Sequence, residues 1–295
     1  MKFEKILFHT RFRELAFSSL ETVLELKDAG LKEVVLIYIV PREEVSFVPY
    51  GGYNKEEEER LKETTRIRFE DWQETIDKKG VKSKIRIEVG MTNSKILSVA
   101  EEENVQLIVT GRKKRSAFEK VYVGSHILDL LRRSQFPVLM SKYMAQYESL
   151  GDSYTRVNDH IYKRPMLATD WSGASANALQ AMLGFKNVAE KIMVTHVIGA
   201  KISKGIGTEH LKDLEVESEK RLRAYSETAA KAGVDVETHL SCGKTASEIL
   251  RLSREHKATM IVMGRTGKDW FQEYWLGGVS HRVAEMSELP VLLVP

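Results

Sequence analysis

The chain repeats itself once at long range, and this limits what it can fold into. Residues 104–140, "NVQLIVTGRKKRSAFEKVYVGSHILDLLRRSQFPVLM", align without a gap on residues 257–293, "KATMIVMGRTGKDWFQEYWLGGVSHRVAEMSELPVLL". Gly111 falls on Gly264, Gly124 on Gly277 and Pro137 on Pro290, each pair 153 residues apart. Upstream, "GMTNSKIL" (90–97) matches "GKTASEIL" (243–250) at the same offset. Near the two starts, "ILFHTRF" (6–12) matches "PMLATDW" (165–171), setting Thr10 opposite Thr169 and Arg11 opposite Asp170. A period this long means a duplicated domain, not a solenoid. The length of 295 residues also fits two domains of ordinary size.

Within each copy, short apolar runs alternate with helical patterns. In the second copy, "RPMLATD" reads as a strand and "SGASANALQAMLGF" as a helix with Ser172 at its N-cap. "KIMVTHVI" (191–198) reads as a buried strand, and charges and leucines at helical spacing run from about Glu209 to Ala232. "VDVETHL" alternates like a strand, "ASEILRLSREH" is helical, "ATMIVMG" and "PVLLV" are strands, and the stretch after Gly277 is helical. Strands separated by helices imply right-handed crossovers and a mainly parallel sheet, an α/β fold. The expected organisation is a first domain over 1–142, a polar linker over 143–163 and a second domain over 164–295. The apolar last strands, "FPVLMS" and "LPVLLVP", would leave exposed sheet edges, so the two halves are expected to associate through them within the chain, with a homodimer of the whole chain as a further step.

Composition excludes some classes. A formal net charge of +3 gives no argument for nucleic acid or a membrane surface. No apolar run approaches the ~20 residues of a bilayer span. The single cysteine, Cys242, forbids an internal disulfide, fits a reducing cytoplasm and reads as a half-buried strand residue. "GKT" at residues 243–245 lacks the first P-loop glycine, because Thr238 stands there. Gly205 and Gly207 lack dinucleotide-fold spacing and are expected in a loop after the second strand. The eight histidines are scattered, so no metal site is expected.

There remains a loop between a strand and a helix: G-x-x-G at Gly264 and Gly267, nine residues, then Gly277, Gly278, Val279 and Ser280. It lies at the carboxyl edge of the sheet, where open α/β folds bind ligands. Gly264 and Gly267 permit positive φ and close backbone approach. Gly277 and Gly278 are expected at a helix N-terminus, where unpaired N–H groups favour an anion such as phosphate, with Ser280 adding a hydroxyl donor. From the loop alone, a phosphate cradle and a ligand-free turn both stay open.

Each half resembles the universal stress protein family. The nucleotide-binding branch of that family carries G-x-x-G, nine residues, then G-[ST], matched by Gly264, Gly267 and Gly277 with Gly278 in the hydroxyl place. Asp170 matches the family's aspartate after the first strand, and "VTHV" (194–197) resembles its second-strand segment. The resemblance implies two five-stranded parallel sheets in the order 3-2-1-4-5, flanked by helices. It also implies an adenine nucleotide, ATP or AMP with Mg²⁺ as a companion of ATP, across strands 1 and 4. Thr169 and Asp170 would meet ribose or adenine, the Val197 backbone would read the adenine edge, and Arg265 is a candidate phosphate contact.

The halves differ. The corresponding first-half positions are Thr10, Arg11, Ile39, Gly111, Arg112, Gly124 and Ser125. Arg11 exchanges an acceptor for a donor. Lys114 replaces Gly267, at a cost of about 1 kcal/mol if that backbone is left-handed. The second half is therefore the expected site and the first an altered one. The resemblance implies a stress-response or signalling module acting through conformation and a protein partner. A slow ATPase or adenylating enzyme, or an interaction module with empty pockets, are the alternatives; no organised catalytic set accompanies the loop.

Overall fold

The computed structural model describes all residues except 14, 48–51, 116–124, 149–150, 156–158, 206 and 268–276. The first half runs β1 (Lys5–His9), α1 (Ala16–Val23), β2 (Glu33–Val40), a small hairpin of β3 (Ser46–Phe47) and β4 (Gly52–Tyr53), α2 (Lys55–Lys78), β5 (Lys82–Val89), α3 (Thr92–Glu102), β6 (Leu107–Arg115), α4 (Ser125–Arg133) and β7 (Val138–Glu148). β8 (Gly151–Thr155) then precedes the second half: β9 (Pro165–Thr169), α5 (Gly173–Leu183), β10 (Ile192–Gly199), α6 (Ala200–Gly205), α7 (Thr208–Lys231), β11 (Val236–Gly243), α8 (Thr245–Glu255), β12 (Met260–Gly264), α9 (Gly278–Met286) and β13 (Val291–Val294).

Among the described residues, both halves share one eleven-stranded sheet. The second half contributes β11-β10-β9-β12-β13, and the first contributes β7-β6-β1-β2-β5. All pairings within each of these halves are parallel. The seam is antiparallel: Val291, Leu292 and Leu293 of β13 face Met140, Leu139 and Val138 of β7. The exposed edges that the two apolar last strands would leave are thus satisfied within one chain. The polar segment expected as linker carries strand: β7 runs on to Glu148 and pairs antiparallel with β8. Its far end is packed inside, with Ile161 and Tyr162 buried.

Strand alternation sends apolar side chains to both faces, as a sheet covered on both sides by helices requires. Ile6, Phe8 and Leu167 join one core layer, while Leu7, Met166 and Ala168 join the other. Each layer contains residues of both halves, so the duplication has produced one continuous sandwich. Two cations lock the seam. The buried Lys142 ammonium donates to the carbonyls of Ala284 (2.8 Å) and Ser287 (2.5 Å) at the end of α9. In the opposite direction, the Arg265 guanidinium donates to the Ser134 carbonyl just beyond α4. Both place positive charge where helix carbonyls lack intrahelical partners.

Short-range expectations hold at α5, where the Ser172 side chain caps the helix by accepting the Ser175 N–H. Two others need correction. Gly205 ends the short helix α6 rather than lying in a loop. Cys242 is exposed, because β11 is the outer strand of the sheet, and its thiol is held above its ordinary pKa by partial burial and by Glu215. Among the described residues, no helix is long and apolar enough to cross a membrane.

Candidate functional site

The carboxyl ends of β9, β10 and β12 open onto a cavity of about 630 Å³, within the ~300–1,000 Å³ usual for small-molecule sites. It is lined by Ala168, Thr169, Asp170 and Trp171 after β9, and by His196 and Val197 of β10. Gly264, Thr266, Gly267 and the Gly277–Ser280 segment line it from the glycine loop, and Glu217, Ser218 and Arg221 from α7. Nine of the ten residues expected in the second-half site therefore converge on one cavity. The tenth, Arg265, does not line it.

Asp170 leaves β9 in a tight turn, its Oδ1 accepting the Ser172 N–H at 3.0 Å. Gly267 is small because this carboxylate is close: a Cβ there would lie 2.9 Å from Asp170 Oδ2. Gly264 is small for a different reason. A Cβ there would lie 2.9 Å from the Ala174 carbonyl carbon and from Ser175 N, so the start of α5 packs directly on β12. Neither glycine has positive φ; the requirement is space, not backbone handedness. Nor does the cost expected for Lys114 arise, since that residue continues β6.

At the start of α9, the Gly277 N–H is already taken by the Arg265 carbonyl at 3.0 Å, which corrects its expected role as a free donor. The Ser280 hydroxyl likewise donates to the Gly264 carbonyl at 3.0 Å, tying α9 to the end of β12. His281 N–H closes on Gly277 O. The N–H groups of Gly278, Val279 and Ser280 therefore precede the first intrahelical bond and lie at the positive end of the helix dipole. Arg265 is corrected outright as a phosphate contact: its side chain crosses to the first half. Among the described residues lining the cavity, the cation is Arg221, held by Glu217 at 2.8 Å.

Trp171 escaped the sequence reading. It adopts φ 66°, a region costly for a bulky residue, on the order of 1–3 kcal/mol. The Thr169 hydroxyl holds the turn by accepting the Trp171 N–H at 3.1 Å. The indole then packs on His196 with ring centroids 4.6 Å apart and edge-on to Tyr225 at 5.3 Å. The His196 Nδ1 lies 2.7 Å from the Thr169 carbonyl. The same strained turn occurs in the first half: Phe12 has φ 50° and donates its N–H to the Thr10 hydroxyl at 2.9 Å. Phe12 packs among Tyr38, Phe69 and Trp72, under Arg68. An aromatic residue at the aligned place in both copies was the available signal.

The first-half positions are arranged differently. Thr10 and Ile39 are buried, whereas Arg11 is exposed. His9 stands in the aligned place of Ala168, and Thr110 in that of Met263, with His9 Nδ1 3.3 Å from Thr110 Oγ1. Burial, then the charge of Arg11, pushes the His9 imidazole down to about 4. β6 passes through Gly111 and Arg112 without stopping and stays paired with β7 as far as Arg115, whereas β12 ends at Gly264. Gly124 lies outside the described residues, and Ser125 opens α4.

Comparison with known proteins places these features. The sequence profile described as "Universal stress protein family" matches residues 2–142 and again 161–295. Universal stress protein MJ0577 of Methanocaldococcus jannaschii is 27% identical over 154 residues, covering 48% of this chain and 95% of its own length. Universal stress protein YxiE of Bacillus subtilis is 33% identical over 147 residues, covering 45% of this chain and 99% of its own. Among solved structures, a universal stress protein from Archaeoglobus fulgidus superposes over 98% of this chain and 95% of its own, with a TM-score of 0.70 at 22% identity, a likeness of fold.

Proposed function

Since the chain belongs to the universal stress protein family, as two such domains in tandem, we propose that its second half binds an adenine nucleotide. On this reading the protein is a cytoplasmic stress-response or signalling module that acts through conformation and a protein partner. The observation that carries it is the convergence of Asp170, Val197, Gly267 and the Gly278–Ser280 N–H groups on one cavity of about 630 Å³. Each has a distinct chemical use. The Asp170 carboxylate accepts hydrogen bonds from a ribose diol. The Val197 backbone reads the adenine edge. The N–H groups at the start of α9 suit phosphate oxygens. With ATP, Mg²⁺ would ride on the phosphates. The first-half loop, with β6 extended and Arg11 in the acceptor's place, is not given the same role. The halves pair through β13 and β7 within one chain, so a homodimer would use another surface.

Calorimetric titration of ATP into the full chain tests this reading. Asp170→Ala should weaken binding by about tenfold or more, since a hydrogen bond to a charged group contributes roughly 1.5–3 kcal/mol. Wild-type affinity in that variant would remove Asp170 from the site.

A further inference from the structure

A second polar cluster lies away from the cavity, where β11 meets the end of α8. Glu237 and His239 are two residues apart on β11, and His256 follows the last turn of α8. Glu237 Oε1 lies 3.0 Å from His239 Nε2 and 3.4 Å from His256 Nδ1. His239 Nε2 is buried and its 3.0 Å contact with Glu237 Oε1 lacks the alignment of a good hydrogen bond. A buried ring nitrogen poorly aligned on its carboxylate is better satisfied by an ion or water between them.

The duplication shows what this place in the fold requires. The first-half counterparts, at the 153-residue offset, are Lys84, Arg86 and Glu103. They occupy the same places: Lys84 and Arg86 pair in register with Val35 and Ile37 of β2, as Glu237 and His239 pair with Met193 and Thr195 of β10. Glu103 follows the end of α3 as His256 follows the end of α8. There the tie between strand and helix is ionic: Glu103 Oε1 is 2.7 Å from Lys84 Nζ and 2.8 Å from Arg86 Nη1. In the second half both strand cations are gone, and all three positions carry metal-ligating side chains. We propose that Glu237, His239 and His256 bind a divalent transition cation, Zn²⁺ in the first instance, which takes over the tie that fixed cations provide in the first half.

The spacing suits the ion. Bonds of ~2.0–2.1 Å in a tetrahedron put neighbouring ligand atoms about 3.3 Å apart, close to the two distances from Glu237 Oε1. His₂Glu is a known zinc ligand set, and its fourth position is left for water. Lys191 Nζ lies 3.7 Å from the other carboxylate oxygen, Glu237 Oε2, and so helps orient Oε1 toward the imidazoles. The two rings now lie against each other, centroids 3.6 Å apart and planes inclined by 32°. Metal binding splays them, because both lone pairs must converge on one ion.

The test is a calorimetric titration of ZnCl₂ into nucleotide-free full chain, with melting temperatures measured with and without zinc. The wild type should bind one ion per chain and melt higher with zinc. His239→Ala and His256→Ala should each lower zinc affinity by about tenfold or more, whereas His210→Ala, on the exposed face of α7, should leave it unchanged. The triple variant Glu237→Lys, His239→Arg, His256→Glu writes the first-half set into the second half; it should fold without zinc and melt at a zinc-independent temperature. Failure of the wild type to bind zinc, or wild-type affinity in His239→Ala or the triple variant, would overturn the proposal.

Discussion

Gly277→Val is expected to leave the protein folded and to weaken ATP binding by about a hundredfold, roughly 2.7 kcal/mol. The fold should tolerate the change because Gly277 has φ −59° and ψ 144°, which suit a β-branched residue. A Cβ there meets the Arg265 carbonyl at 3.4 Å, Ser280 Oγ at 3.5 Å and Gly267 N at 3.7 Å, tight but without a clash. Binding should not tolerate it. Two further methyl groups would stand between Gly267 and the start of α9, where a phosphate must approach the Gly278–Ser280 N–H groups. Gly278→Ser is the matched control. Nothing lies within 4 Å of a Cβ there, so this variant should fold and bind. Thermal melts and ATP titrations of both variants decide the matter; a folded Gly277→Val protein with normal affinity would remove α9 from the site.

Gly264→Val should instead damage the fold. Its Cβ would stand 2.9 Å from backbone atoms of Ala174 and Ser175, which cannot swing aside as a flexible side chain can. Overpacking of this kind costs about 1–3 kcal/mol, and β12 is a central strand between β9 and β13. The melting temperature should drop by several degrees, with ATP binding lost as the cavity distorts. Gly111→Val, at the aligned position, should cost within about 0.5 kcal/mol, since nothing lies within 4 Å of a Cβ there. Equal losses in the two variants would contradict the packing described for β12 and α5.

These two glycines also show where a sequence stops being readable. Gly111 and Gly264 look equivalent in the alignment, and each closes an apolar run at the aligned place. The difference is tertiary: β6 remains paired with a long β7, so it continues through Gly111, whereas α5 closes over Gly264. The duplication, the alternation of strands and helices and the glycine loop were legible because they depend on local pattern and on the position of strand ends, whereas Thr169, Asp170 and Val197 were legible through the family resemblance. Arg265 was misread because its partner carbonyl belongs to the other half and becomes a neighbour only through the β13–β7 seam. Of the two uses that Gly264 and Gly267 permit, close approach is the one realised, and positive φ occurs instead at Trp171 and Phe12, where a threonine hydroxyl holds the turn. His239 and His256 looked scattered because β11 and the end of α8 meet only in the folded sheet.

Hydrogen exchange of the full chain with and without ATP and Mg²⁺ tests the location of the nucleotide directly. Protection should appear at Asp170–Ser172, Val197 and Gly278–Ser280, with the corresponding first-half segments, Arg11 and Phe12, Ile39 and Ser125–Ile127, unchanged. Protection confined to the first half, or none at saturating ATP, would contradict a second-half nucleotide site.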